Sequence, residues 1–236
     1  MDIQQYKQML EQPWGKIQYE ITFAQLEHIK GKKILDFGSG FGLVSQFLAQ
    51  NNEVFAIEPQ EEMLFAYSNH RYEKILGSLE QVKKFESETF DIVLCHNVLE
   101  YIDKDCRVNY LSELKRVLKR NGKLSIIKHN QVGKIMQAVV FSNDADQALD
   151  LLKGNEFKSV SFNSGTTYTI DELLEMSKMK LENYQAIRTF YSLQINEVKT
   201  KDNWLEKMTE MELAVCDLYP YKDISFLQHV WLMNSR

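Results

Sequence analysis

Long apolar runs, arginine and paired cysteines are all scarce in this chain of 236 residues. No apolar stretch approaches the roughly 20 residues that cross a bilayer, so no membrane-spanning helix is expected. The three cysteines, Cys95, Cys106 and Cys216, are odd in number and lack the spacing of a zinc site. No metal is expected, and reduced thiols fit a cytoplasmic compartment. The opening MDIQQYK has neither the basic nor the apolar segment of a secretory leader, so none is expected there. Arginine is outnumbered by lysine, 6 to 22, which leaves few planar forks for bidentate phosphate recognition. The net charge of −5 excludes nucleic-acid binding by bulk electrostatics, though not by a local basic face.

What is present is an ordinary globular composition, 44% hydrophobic and 26% charged. The length suits one domain with a full core and an added lid. No internal repeat or low-complexity linker interrupts it, so residues 1–236 read as a single domain. The chain is organised around residues 33–42, KILDFGSGFG. Ile34 and Leu35 end a short apolar strand, Asp36 follows at its carboxyl end, and Gly38, Gly40 and Gly42 make a loop with little side-chain bulk. Leu43 onward reads as a helix whose free N–H groups point at whatever the loop binds. A dinucleotide fingerprint starting at Gly38 needs Gly or Ala at position 43, where this chain has Leu43. The pattern is instead D-x-G-x-G-x-G. A carboxylate so close to the loop repels a pyrophosphate and attracts an ammonium group.

Further along, residues 53–58 (EVFAIE) read as a second strand ending in Glu58, twenty residues beyond Gly38. An acid at that place accepts hydrogen bonds from a ribose diol. Pro59 then breaks the strand, and Glu61 to Leu64 opens a helix. Residues 74–80 contain a short third strand. The continuous apolar run 92–95 marks a fourth, buried on both faces as a parallel sheet requires, with His96-Asn97 at its carboxyl end. In such a sheet ligands bind at the carboxyl ends of the strands, where Asp36, Glu58, Ser78 and His96 all fall. Val108 to Leu118 predicts an amphipathic helix, stopped by Asn121-Gly122, and Lys123 to Lys128 a fifth strand. Residues 184–192 and 225–233 predict the last two strands.

The glycine loop resembles motif I of the class I S-adenosylmethionine (SAM) methyltransferases, and Phe90-Asp91 with His96-Asn97 resembles their motif IV and its neighbour. That resemblance implies an α/β, Rossmann-like sheet of seven strands, mostly parallel with a final antiparallel hairpin, plus helical lid insertions. It implies SAM as cofactor, held by Asp36, Gly38, Ser39, Gly40, Gly42, Glu58 and Pro59. Met63 then lies beside the adenine or simply fills a gap in the core. Ser78, Leu79 and Glu80 stand where the family meets the adenine, often through an acidic side chain; here backbone contact serves. N-terminal helices within residues 1–30 often close over the cofactor in this fold, and Trp14, Lys16, Gln18 and Tyr19 either face the ligand or pack the helix. Gln18 stands where a basic residue holding the SAM carboxylate is expected. The helices around 131–155 and 202–219 would form the lid.

A finer resemblance rests on His96-Asn-Val-Leu-Glu-Tyr101, Asn130, Ala186 to Tyr191 and Met211 to Tyr221. It is to the bacterial tRNA 5-carboxymethoxyuridine methyltransferases, which esterify a carboxylate on a modified wobble uridine. It implies tRNA as partner, with a small-molecule O- or N-methyltransferase as the alternative and a SAM-binding regulatory or scaffold protein without turnover as a third reading. A carboxylate acceptor is anionic near neutral pH and needs no general base. It does need a cation, for which Arg188 is the candidate, its alternative being a surface or interstrand ion pair. His96 either stands near the transferred methyl or packs and caps. Tyr19, His129, Tyr191 and Tyr219 are candidates to stack on a base or line the pocket, His129 being counted with His96 and Arg188 as catalytic. Lys115, Arg116, Lys119, Arg120 and Lys123 form either a basic patch for RNA or a solvated face.

Overall fold

The structure, a computed structural model, describes residues 3–157, 164–199 and 202–235. Two helices come first, α1 (Ile3–Leu10) and α2 (Pro13–Leu26), followed by β1 (Lys33–Phe37), α3 (Leu43–Leu48), β2 (Glu53–Glu58), α4 (Glu61–Leu64), β3 (Glu73–Leu76) and α5 (Leu79–Val82). Next are β4 (Phe90–His96), α6 (Lys104–Val117), β5 (Leu118–His129), α7 (Gln131–Val140), α8 (Ala145–Leu152) and α9 (Ile170–Ser177). The chain closes with β6 (Lys180–Ile187), α10 (Trp204–Val215), α11 (Tyr221–Ile224) and β7 (Leu227–Met233). Residues 1 and 2, which touch the expected N-terminal helix, lie outside the described residues.

The seven strands form one sheet in the order β3-β2-β1-β4-β5-β7-β6. The first five pair in parallel, and β7 is inserted between β5 and β6 as the final antiparallel element. Its direction follows from its two ends. Asn121 N–H donates to Asn234 O (2.8 Å), whereas Asn130 N–H donates to Phe226 O (3.1 Å), so β7 runs against β5. This is the class I methyltransferase Rossmann-like fold.

The chain divides into two compact units. One contains Gln25–Ile127, Ile170–Asn183 and Val230–Arg236; it holds β1 to β4 and the glycine loop. The other contains Met1–Ala24, Lys128–Thr169 and Tyr184–His229, with α7, α8 and α10. In the first, Ile34, Leu35, Ile57, Val93, Leu94 and Cys95 are all fully buried, because parallel strands are covered on both faces. Phe90 at the start of β4 stacks edge-on against Phe55 (5.7 Å) and Phe85 (5.0 Å).

Two boundaries differ from expectation. The sixth helix ends at Val117 rather than at Asn121-Gly122, and β5 begins immediately at Leu118. The register against β4 shifts between Phe90 and Ile92, so Asn121 (φ 61°) and Gly122 sit in a bulge. The buried Asn234 fixes that bulge by donating from Nδ2 to the carbonyls of Leu118 and Lys119. The sixth strand starts at Lys180 and ends at Ile187, so Arg188 lies in the turn beyond it instead of inside the strand.

Phe90→Ala should destabilise the protein by about 3–5 kcal/mol, the usual cost of emptying a buried phenylalanine site. Urea unfolding measures it; a loss under about 1 kcal/mol would show that the Phe55–Phe85–Phe90 cluster is not part of the core.

Candidate functional site

Parallel pairing brings the acids of the glycine-loop unit to one edge. Asp36 sits level with Ala56 on β2 and Leu94 on β4, Glu58 level with Leu76 on β3, and His96 level with Ile127 on β5. Beyond β1 the chain turns across the end of β2, with Gly38 and Ser39 N–H groups both donating to Ile57 O (2.8 and 3.0 Å). Gly40 N–H then donates to Glu58 Oε2 (2.9 Å), and Gln60 N–H to Glu58 Oε1 (3.0 Å). Glu58 thus clamps the loop and the start of α4 together, while each oxygen keeps a second lone pair. Side chains are disfavoured here, by backbone conformation at Gly40 (φ 55°) and by a direct clash at Gly42. A Cβ on Gly40 would stand 3.3 Å from Met63 Cε, and one on Gly42 (φ 72°) would run into the Tyr72 hydroxyl.

Asp36 is the electrostatic centre of this edge. It is buried, and the Ser45 hydroxyl donates to its Oδ2 at 2.6 Å. Burial pushes its carboxyl up to about 6 despite that hydrogen bond, with the Glu58 charge adding to the rise. Burial also raises Glu58, against the pull of its two backbone donors. Two carboxyls under this strain form a site that gains from a bound cation. Two neutral atoms point the same way. Ser39 Oγ and Asn97 Oδ1 are buried with no hydrogen-bond partner among the described residues. A ligand with an ammonium, a ribose and a flat base fits this set. Asp36 would take the cation, Glu58 the ribose hydroxyls, and Met63, buried against Gly40, the base. The residues therefore fit SAM.

Other candidate positions behave differently. His96 Nε2 lies 2.8 Å from Ser125 Oγ, and burial drives the imidazole down to about 3, so it is neutral at physiological pH. It cannot work as a cationic group there. Glu80 is exposed and folds back, accepting from Ser78 N–H at 2.7 Å; that bond lowers its carboxyl. Leu79 is buried, and Pro59 is exposed after Glu58.

In the other unit Arg188 is the focus. It is 7% exposed, adopts φ 64°, and its Nη1 donates to Gln18 Oε1 (3.1 Å). Its guanidinium lies over the rings of Phe226 (4.7 Å), Tyr191 (5.3 Å) and Trp14 (5.7 Å). Its Nε is buried without a partner among the described residues. Burial pushes it down to about 10, which still leaves it charged at neutral pH. The turn that carries it is pinned by buried Glu212. One Glu212 oxygen accepts from Phe190 and Tyr191 N–H (both 2.8 Å), and the other from Thr189 N–H (2.6 Å). So Gln18 serves the arginine, and the surface ion-pair reading of Arg188 is overturned by its burial. Asn130 secures the neighbouring turn, donating from Nδ2 to Asp223 O and Ser225 O. His129 packs on Phe157 (4.8 Å) and Phe226 (5.5 Å). Tyr19 lies against Phe23, and Tyr219 is 78% exposed.

The basic run on α6 and β5 is largely engaged within its own unit. Lys115 donates to the carbonyls of Ser177 and Lys178, and Arg116 to Glu113 and the carbonyls of Val82 and Phe85. Lys119 pairs with Asp91 and Lys123 with Glu182. Among the described residues no cluster of three or more His, Cys, Asp or Glu side chains is arranged to hold a metal. Ser45, Tyr72 and Glu212 were given no role from the sequence, whereas Asn97 was singled out there beside His96. Of the former, Ser45, nine residues past Asp36 at the start of a helix, was the only one with a local signal.

Residues 35–126 match a family model described as a methyltransferase domain. The chain is 31% identical over 113 residues to the mitochondrial ubiquinone biosynthesis O-methyltransferase of Schizosaccharomyces pombe, covering 44% of this chain and 40% of that one. It is 28% identical over 119 residues to an uncharacterised protein of Methanocaldococcus jannaschii, half of each chain. The match thus spans about half, or less, of the length of these relatives. In structure it resembles a chain of the complex between the Haloferax volcanii Trm112 methyltransferase activator and a methyltransferase (TM-score 0.61, 14% identity, 98% of this chain and 93% of that one). It also resembles the 1,6-didemethyltoxoflavin N1-methyltransferase of Burkholderia thailandensis, solved with S-adenosylhomocysteine (TM-score 0.56, 14% identity, 95% and 79%). The fold is thus that of the class I methyltransferases, residues 35–126 match a methyltransferase domain model, and the residues of the glycine-loop edge fit SAM.

Two measurements test the cradle. Glu58→Ala should weaken SAM binding by roughly 1–3 kcal/mol, the worth of charged hydrogen bonds; calorimetry giving an unchanged Kd would remove Glu58 from the site. The second is the pH profile. In the free protein Asp36 holds its proton up to about pH 6, above its unfolded value of 3.8, so its ionisation lowers stability as pH rises between those limits. A cationic ligand favours the carboxylate. SAM affinity should therefore rise by roughly tenfold from pH 5 to pH 7 and then level, and the rise should flatten in Asp36→Asn. A flat wild-type profile contradicts this role.

Proposed function

We propose that the whole chain, residues 1–236, acts as one SAM-dependent methyltransferase whose acceptor is an anionic group, a carboxylate, held by Arg188. The observation that carries this reading is a buried guanidinium enclosed by three aromatic rings, with a donor left unpaired. Such a site suits a flat acceptor bearing an acid: the rings stack on its plane and the fork meets its oxygens. SAM, when bound, supplies a methyl group on a positively charged sulfur. The chain's own task is then to place an acceptor oxygen and to exclude water. No general base is required, because a carboxylate is already ionised at neutral pH. A neutral His96 is compatible with that requirement. In this reading α7, α8 and α10 serve as the lid over the acceptor and the protein works in the cytoplasm. No described helix is long and apolar enough to cross a membrane.

For the acceptor itself we propose the carboxylate of a modified wobble uridine in tRNA, supported by the aromatic surround of Arg188, which is what a splayed-out base needs. A small aromatic acid is the second reading. It is favoured by the internal engagement of the basic run from Lys115 to Lys123 and by relatives named for ubiquinone biosynthesis and for 1,6-didemethyltoxoflavin.

Mass spectrometry of tRNA nucleosides from a deletion strain decides between them. Loss of a methylated wobble uridine, restored by the purified protein with SAM, supports tRNA; an unchanged profile moves the search to small acids. Arg188→Gln should leave the Kd for SAM within twofold and lower turnover on a carboxylate acceptor by roughly 10²-fold, the cost of one buried charged pair. Normal turnover would show that Arg188 does not hold the acceptor.

A further inference from the structure

Arg188 is not the only cation on the ring of Tyr191. Lys199 follows a single turn of 3₁₀-helix at Asn196–Val198, and its Nζ lies 4.1 Å from the Tyr191 ring centroid and 5.1 Å from that of Phe141. Arg188 Cζ stands 5.3 Å from the same Tyr191 centroid. The ring is buried at 4% exposure and packed on Trp204 (5.7 Å), so it cannot swing away to separate the two charges. Among the described residues the Lys199 ammonium donates to Asn196 Oδ1 (3.2 Å), a neutral acceptor.

The acids nearby leave this pair undercompensated. Glu212 is within electrostatic reach of Arg188, but its two oxygens already accept three backbone N–H groups. Glu197, which acts on Lys199, is exposed. Burial and then the Arg188 charge pull the Lys199 ammonium down to about 8, with Glu197 opposing. Meanwhile Arg188 Nε is buried and has no partner among the described residues. Two cations on one aromatic ring, one of them with an unfilled buried donor, are the arrangement an incoming anion completes.

We propose that Arg188 and Lys199, sharing the Tyr191 ring, form a two-cation site in which Lys199 binds a second anionic group of the acceptor, of the phosphate class. This deepens the acceptor assignment and rests on Arg188 holding the acceptor's carboxylate. A phosphate there belongs either to a polynucleotide backbone or to a small phosphorylated acid, since both present the same oxygens to an ammonium.

The test is the rate at which an amine-reactive acylating reagent labels Lys199 at pH 8, followed by peptide mass spectrometry. Inorganic phosphate at millimolar concentration should slow labelling of Lys199 at least fivefold, while acetate at matched ionic strength changes it less than twofold. In Arg188→Gln the phosphate concentration giving half-protection should rise at least fivefold, because one of the two cations is gone. Protection by micromolar tRNA assigns the phosphate to a polynucleotide. Protection by the inorganic ion and not by tRNA assigns it to a small acceptor. Labelling unaffected by phosphate, or protection unchanged in Arg188→Gln, overturns the two-cation site. Lys199→Met, at a half-exposed position where folding is not at risk, gives an independent reading. It should raise KM for the anionic acceptor at least fivefold with the SAM Kd unchanged, and an unchanged KM counts against the proposal. The two inferences fail separately. If Arg188→Gln turns over normally while phosphate still protects Lys199, the carboxylate assignment falls and the anion site stands. Lost turnover without protection means the reverse.

Discussion

The glycine-loop unit depends on a carboxylate that the fold holds where water cannot reach it well. Asp36 lies one residue before the end of a strand paired on both sides, so its backbone cannot retreat, and its side chain has the Ser45 hydroxyl as a close donor. Burying an acid with so little support is unfavourable unless something positive arrives. The neighbouring features follow from that constraint. Glycines at 38, 40 and 42 let a ligand approach closely, Glu58 ties the loop to the end of β2, and the polar atoms of Ser39 and Asn97 remain unfilled. A pyrophosphate would meet two carboxyls here; a ligand with an ammonium group meets its complement.

The other unit solves a related problem with the opposite charge. Arg188 is buried against rings rather than against acids, and the acid close to it, Glu212, is occupied in shaping the turn. The left-handed backbone at Arg188 is unusual for a non-glycine residue, and three N–H bonds to one carboxylate immediately after it account for its persistence. Glu212 therefore acts on the site through Arg188 and Tyr191 as a positioning residue.

Much of the cofactor edge was legible in the sequence because each part has a local signature. The loop announces itself by glycine spacing, β4 by its unbroken apolar run, and Glu58 by its place at a strand end. The seven-stranded, mostly parallel sheet and its final antiparallel strand followed from the resemblance these motifs carry; the strand order came from the structure. What stayed hidden has no local signature. Glu212 lies 21 to 23 residues from the N–H groups it binds, and nothing in its helix marks it as buried. The bulge at Asn121-Gly122 reads as a helix stop, since the same residue pair suits both; Asn234, over a hundred residues away, decides it. The basic run from Lys115 to Lys123 looks free in sequence because its partners at Asp91, Ser177 and Glu182 come from other elements. Gln18 likewise resembles a gap in a cofactor contact until its hydrogen bond to Arg188 is seen.

The D-x-G-x-G-x-G loop, with Asp36 and Glu58, suits a nucleoside carrying an amino acid rather than a dinucleotide. Side-by-side calorimetric titrations of the purified protein with SAM and with NAD at pH 7 test it most directly. Saturable one-to-one binding of SAM, with NAD at least a hundredfold weaker, is the expected result. Absence of SAM binding, or tighter binding of NAD, would contradict the account at its foundation.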